Sequence, residues 1–91
     1  MNFEFTENAW EEFSHWISAD IGMVMKIKEL LADIRKTPFQ GIGKPEPLMY
    51  DLKGCWSRRI SGEHRLVCKV VGKKGVDQKC YILQCRFHYD L

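Results

Sequence analysis

The stretch WSRRISGEHRLVCKVV, residues 56–71, decides the fold. Two strand-like runs, Trp56 to Ile60 and His64 to Val71, flank Ser61-Gly62, a pair suited to a tight reversal. The segment therefore predicts an antiparallel hairpin, with two registers open. A two-residue turn at Ser61-Gly62 sets Arg58 opposite Arg65, whereas a three-residue turn that takes in Glu63 sets Arg59 there. In either register arginine faces arginine, which is unfavourable unless an anion lies between them. Guanidinium forks match phosphate oxygens. The competing account is that these arginines splay into water or pair with Glu46 or Glu63.

Toward the carboxyl end, Gly72 to Lys79 reads as a longer exposed turn and Cys80 to Tyr89 as a further strand. Toward the amino end, PFQGIGKPEPL (38–48) is a loop, stiff at its three prolines and permissive at its two glycines. Ahead of it, Val24, Ile27, Leu31 and Ile34 recur at helical steps and predict a helix from about Met23, closed by Thr37-Pro38. An earlier helix spans roughly Glu7 to Ser18, capped by Thr6, with Trp10, Phe13 and Ile17 on one face and Asp20 and Gly22 interrupting after it. MNFEFT alternates apolar and polar residues like a short strand. Helices first and consecutive strands later make an α+β domain, with a helical hairpin packed on an antiparallel sheet.

Ninety-one residues make one domain, 1–91. Glu4 and Glu7 stand where an export signal needs bases and then an apolar run, and no apolar stretch approaches the roughly 20 residues that span a bilayer. A cytoplasmic chain with no membrane association is expected. Cys55, Cys68, Cys80 and Cys85 lack Cys-x-x-Cys spacing, so they read as reduced, small apolar residues in or beside strands, with no metal site. The net charge of +2 hides an asymmetry: residues 1–34 hold seven acids against two bases, and residues 35–91 hold twelve bases against five acids. A basic carboxyl half suggests a polyanion partner.

Glu46 sits between Pro45 and Pro47, so its carboxylate is carried on a stiff piece of loop and suits a general base or an ion-pair partner. His88 and Tyr89 fall on opposite faces of the last strand, offering a general acid and a ring on which a base can stack. His15 reads as decoration outside the first helix, and His64, beside Arg65, as a minor anion contact. One carboxylate, one histidine and one or two arginines are the set that cleaves RNA without metal.

RKTPFQGIGKPEPL (35–48), GCWSRRISGEHRLV (54–67) and CRFHY (85–89) resemble three signature blocks of the YoeB/Txe family of ribosome-dependent mRNA interferases, in the RelE-like toxin superfamily. The resemblance runs from FTENAWEEF (5–13) to Tyr89. It implies a microbial-ribonuclease-like α+β fold, two amino-terminal helices on a twisted antiparallel sheet. It also implies mRNA cleavage in the A site of the 70S ribosome, neutralisation by a YefM-type antitoxin, and a homodimer. Carried over, the catalytic base falls on Glu46, the transition-state arginine on Arg65 and the acid on His88. Arg59 and Tyr89 fall among the substrate contacts, where Arg58 and Lys44 are also expected, and no cofactor is implied. The chain departs from the pattern at Met49, where the family often has lysine, in the longer GKKGVDQK turn (72–79), and in Asp90-Leu91 beyond the usual terminal tyrosine. Two alternatives are a superfamily toxin that poisons gyrase without cutting RNA and a noncatalytic nucleic-acid-binding module. Neither needs Glu46, Arg65 and His88 together.

Overall fold

The structure, a computed structural model, describes residues 1–88. Strand β1 (Asn2–Phe5) leads into helix α1 (Glu7–Ala19), which starts where the Thr6 hydroxyl accepts the Ala9 amide at 3.1 Å. Asp20 then serves two helices at once. Its amide donates to the Trp16 carbonyl and closes α1, while its carboxylate accepts the Gly22 amide and opens α2 (Ile21–Lys36). The second helix therefore begins two residues earlier than its apolar pattern indicates, and Gly22 lies inside it.

The buried face of α2 is Val24, Ile27, Leu30 and Ile34, with Leu31 half-buried beside it. In α1 the inward stripe is Ala9, Phe13 and Trp16, an i, i+4, i+7 series. Trp10 and Ile17, expected to point inward, are instead 55% and 52% exposed. Trp10 stays at the rim, edge-on to Phe5 at 5.8 Å.

After the loop come β2 (Glu46–Pro47), a single 3-10 turn (Tyr50–Leu52), β3 (Trp56–Arg59), β4 (Arg65–Val71) and β5 (Lys79–Gln84). They form one five-stranded sheet in the order β1-β5-β4-β3-β2. All neighbours are antiparallel except β1, which runs parallel to β5 with Phe3 opposite Cys80. No hairpin joins β1 to its partner, so no short connection dictates that direction. Strand β5 ends at Gln84, five residues before the expected limit, and Cys85 to His88 continue without regular pairing.

The helices cover one face of the sheet, burying Leu66, Cys68, Cys80 and Ile82 against α1 and α2. A smaller cluster of Leu48, Cys55 and Val67, with Leu52 and Leu83 packed against it, lies on the other face. All four cysteines are buried free thiols, and among the described residues no helix is long and apolar enough to cross a membrane.

Candidate active site

The β3–β4 turn takes the three-residue form. The Ile60 amide donates to the His64 carbonyl at 3.0 Å, so the ladder pairs Arg59 with Arg65 and Arg58 with Leu66. Side chains alternate along each strand. Trp56, Arg58 and Leu66 therefore face the helices, while Ser57, Arg59, Arg65 and Val67 face away. Strand β2 pairs Glu46 with Ser57, which adds Glu46 to that outer face. Ladder spacing of about 4.8 Å and a rise of about 3.3 Å per residue set the Cα atoms of Glu46 and Arg65 roughly 12 Å apart. A glutamate and an arginine at that separation reach one phosphodiester group from opposite sides.

The loop that carries Glu46 is held by Arg58. Expected among the substrate contacts, Arg58 is instead only 1% exposed. Its Nη1 donates to Asp33 Oδ2 and to the Ile42 carbonyl at 3.1 Å, and its Nη2 donates to the carbonyls of Thr37 at 2.8 Å and Gln40 at 2.7 Å. A guanidinium saturated by protein acceptors in the interior has no edge left for a phosphate. Its work is to tie residues 37–42 to α2. The Arg58 bond, reinforced by the Ile42 amide, holds the Asp33 carboxyl below the usual carboxylate range. Gly43, with φ 78°, passes so close to Leu30 that a Cβ there would lie 2.8 Å from its Cδ2, and the Gly43 carbonyl accepts the Arg59 amide at 2.7 Å. Lys44 follows, exposed and with φ 51°, next to the strand that carries Arg59.

Arg65 is half-buried, and its Nη1 donates to the carbonyls of Ser61 at 2.8 Å, Gly62 at 3.2 Å and His64 at 3.2 Å. The turn thus fixes one end of the guanidinium, which still has the donors of Nε and Nη2.

The segment that carries His88 is docked at three successive residues. The Cys85 amide donates to Glu12 Oε1 at 2.9 Å, and the Cys85 carbonyl accepts the Trp16 indole N–H at 2.9 Å. Arg86 lies over the rings of Trp16 and Phe87, at 5.7 and 4.4 Å. Phe87 donates its amide to His64 Nδ1 at 2.7 Å and accepts the Arg65 amide at 3.0 Å. His88 is the next residue, exposed beside the Arg65 end of β4. Tyr89 lies outside the described residues.

Sequence reasoning missed Glu12, Trp16 and His64 as holders of this segment. Trp16 was not singled out at all, the apolar face of the first helix being read as Trp10, Phe13 and Ile17, and His64 was read only as a neighbour of Arg65. Among the described residues no three His, Cys, Asp or Glu side chains converge as metal ligands.

Residues 5–89 match the family described as the YoeB-like toxin of bacterial type II toxin-antitoxin systems. The chain belongs to this family. It is 46% identical over 89 residues to the toxin YoeB of Streptomyces coelicolor, covering 98% of this chain and 100% of the relative. The fold of this YoeB-like toxin superposes on a YoeB/ParE toxin from Agrobacterium tumefaciens with a TM-score of 0.92 at 45% identity, over 98% of this chain and 100% of the other. It also superposes on the Staphylococcus aureus YoeB dimer (TM-score 0.87, 41% identity) and on YoeB in a heterotetrameric complex with YefM (TM-score 0.86, 40% identity). Each alignment covers 98% of both chains.

Proposed function

We propose that this YoeB-like toxin is a ribosome-dependent mRNA endoribonuclease that cuts the message in the ribosomal A site and so halts translation. The observation that carries the reading is the sharing of one sheet face by Glu46, Arg59 and Arg65, with the segment bearing His88 clamped to the Arg65 backbone. Glu46 removes the proton from the 2′-hydroxyl of the nucleotide before the cut, and that oxygen attacks the adjacent phosphorus. Arg65 neutralises the charge that builds on the equatorial oxygens, and Arg59 and Lys44 hold the flanking backbone. The bond from phosphorus to the 5′-oxygen breaks, and His88 gives that oxygen its proton. The products are a 2′,3′-cyclic phosphate and a 5′-hydroxyl, with no metal taking part.

A site of so few groups depends on alignment. Correct placement of the attacking oxygen is worth many orders of magnitude in rate, and the ribosome supplies it by holding the message bent. The antitoxin is a YefM-type protein, which neutralises by laying an acidic segment across Arg59, Arg65 and His88. The toxin acts in the cytoplasm, off the membrane, and pairs as a homodimer, as its Staphylococcus relative does.

The test is a message with a single 2′-deoxynucleotide at the cleavage position. Codon pairing is preserved while the nucleophile is gone, so cleavage at that bond disappears. A toxin that still cuts there does not use Glu46 on a 2′-hydroxyl. A toxin that cuts no message yet binds nucleic acid or stalls gyrase belongs to the noncatalytic alternatives.

A further inference from the structure

His64 lies outside the set Glu46, Arg65 and His88, yet it makes one of the shortest polar contacts in the site region. A backbone amide is only a donor, so the 2.7 Å contact from the Phe87 amide requires a bare lone pair on Nδ1 of His64. The imidazole in this contact is therefore the neutral tautomer with its proton on Nε2. Trp16 packs edge-on against the ring at 4.8 Å and Phe87 lies 6.1 Å away, which fixes the direction of that lone pair.

One residue further along β4, the Arg65 amide donates to the Phe87 carbonyl at 3.0 Å, and the Gln84 side-chain amide donates to the same oxygen at 3.0 Å. Both backbone groups of Phe87 are thus gripped from adjacent residues, 64 and 65. Phe87 also has φ 66°, a left-handed conformation that a bulky side chain seldom takes and that persists only where surroundings enforce it. That conformation directs the chain onward at His88.

We propose that His64 is a positioning residue: by accepting the Phe87 amide on a neutral Nδ1, it holds the left-handed bend that delivers His88 to the leaving oxygen. The proposal rests on the reading of His88 as the acid. It makes the motif Glu63-His64-Arg65 serve twice, since Arg65 acts on the phosphate while His64 sets the acid beside it. A shift of about 1 Å in a reacting group costs on the order of 10²-fold in rate, so the loss expected on breaking the grip is about 10–100-fold.

The test uses the purified full chain with three substitutions at one position. His64→Asn keeps an acceptor oxygen where Nδ1 stands. His64→Gln moves the acceptor to the Nε2 site, and His64→Leu keeps bulk against Trp16 but has no acceptor. Two quantities are read for each: single-turnover cleavage of a defined message on the ribosome, and hydrogen exchange of the Phe87 amide in the free protein. The expected result is faster Phe87 exchange in the leucine and glutamine variants, with the saturating single-turnover rate down about 10–100-fold and the half-saturating ribosome concentration little changed, and substantial recovery of both readouts in the asparagine variant. Unchanged Phe87 exchange in His64→Leu overturns the grip, whatever the activity. Faster exchange with full cleavage overturns the positioning role. His88→Ala is run alongside. If it cleaves normally, the reading of His88 as the acid falls, while the exchange data still decide whether His64 holds the bend. If His64→Leu does not fold, an asparagine variant that folds but loses Phe87 protection overturns the proposal in its place.

Discussion

Arg59 and Arg65 stand directly opposite each other across the β3–β4 ladder, on the face that carries Glu46. Like charges at opposed positions destabilise an antiparallel pair. Arg59→Gln is therefore expected to raise the urea midpoint, by the equivalent of about 0.2–1 kcal/mol at low salt, while lowering cleavage. Added phosphate or sulfate narrows the gap, because an anion between the two guanidiniums relieves the wild type and not the variant. A variant less stable than the wild type at low salt would show that the pair is already balanced by the protein.

Arg65→Lys is expected to damage cleavage nearly as much as Arg65→Ala. Lysine keeps a charge but has neither the second nitrogen that grips another phosphoryl oxygen nor the Nη1 that the turn carbonyls hold. Removing a transition-state donor typically costs about 10²–10³ in rate, read as single-turnover cleavage on the ribosome. Near wild-type turnover in the lysine variant would reduce Arg65 to bulk charge.

Arg58→Met takes the guanidinium donor from the carbonyls of residues 37, 40 and 42 and leaves Asp33 without its ion-pair partner. Taking the buried guanidinium away from these acceptors is expected to destabilise the fold, seen as a lower urea midpoint. The same pair has a pH signature. The Asp33 carboxyl is held low in the folded state by Arg58, so its stabilisation is fully present above its unfolded value of about 3.9 and is lost as the pH falls through the lower, folded value. Asp33→Asn should flatten that part of the acid limb, measured as urea midpoints from about pH 6 down to about pH 2. An unaltered acid limb would mean that other carboxylates set it.

The cysteines give an internal clock of unfolding. Burial, with Glu12 adding to it, pushes the Cys85 thiol up to about 12, and the hydrogen bond that the Cys80 thiol donates to Cys68, together with burial, pushes the Cys80 thiol up as well. Neither is a ready nucleophile near neutral pH. Iodoacetamide should label Cys68 and Cys80 only at the rate of global opening, and Cys85 sooner, since the segment after β5 can release without parting the sheet. Mass spectrometry of partly labelled protein checks the order, and simultaneous labelling would make that segment part of the global unit.

Much of the fold was legible because it is local. Helical periodicity located α2, Thr6 marked the start of α1, and the Ser61-Gly62 region marked the hairpin, one of whose two registers is the one adopted. Two adjacent strand arginines must face opposite sides, but which one turns inward depends on Asp33 and on loop carbonyls about twenty residues away. The same non-locality hid the parallel pairing of β1, the swing of Trp16 rather than Trp10 into the core, and the contact of His64 with a residue 23 positions on. Stiff-loop and strand context drew attention to Glu46 and Arg65, whose roles only the family resemblance implied, whereas the grip on Phe87 exists only after the sheet has formed.

The pairing of β1 with β5 also has a consequence for synthesis. A ribosome makes the chain in order, so the first strand emerges while β5, its sheet neighbour some seventy-five residues downstream, has not yet been translated. Strand β5 separates β1 from β4, and the segment that docks on Trp16 and His64 follows it. The sheet is therefore unfinished, and His88 unplaced, until β5 has been joined. The first strand made is thus the last to be placed.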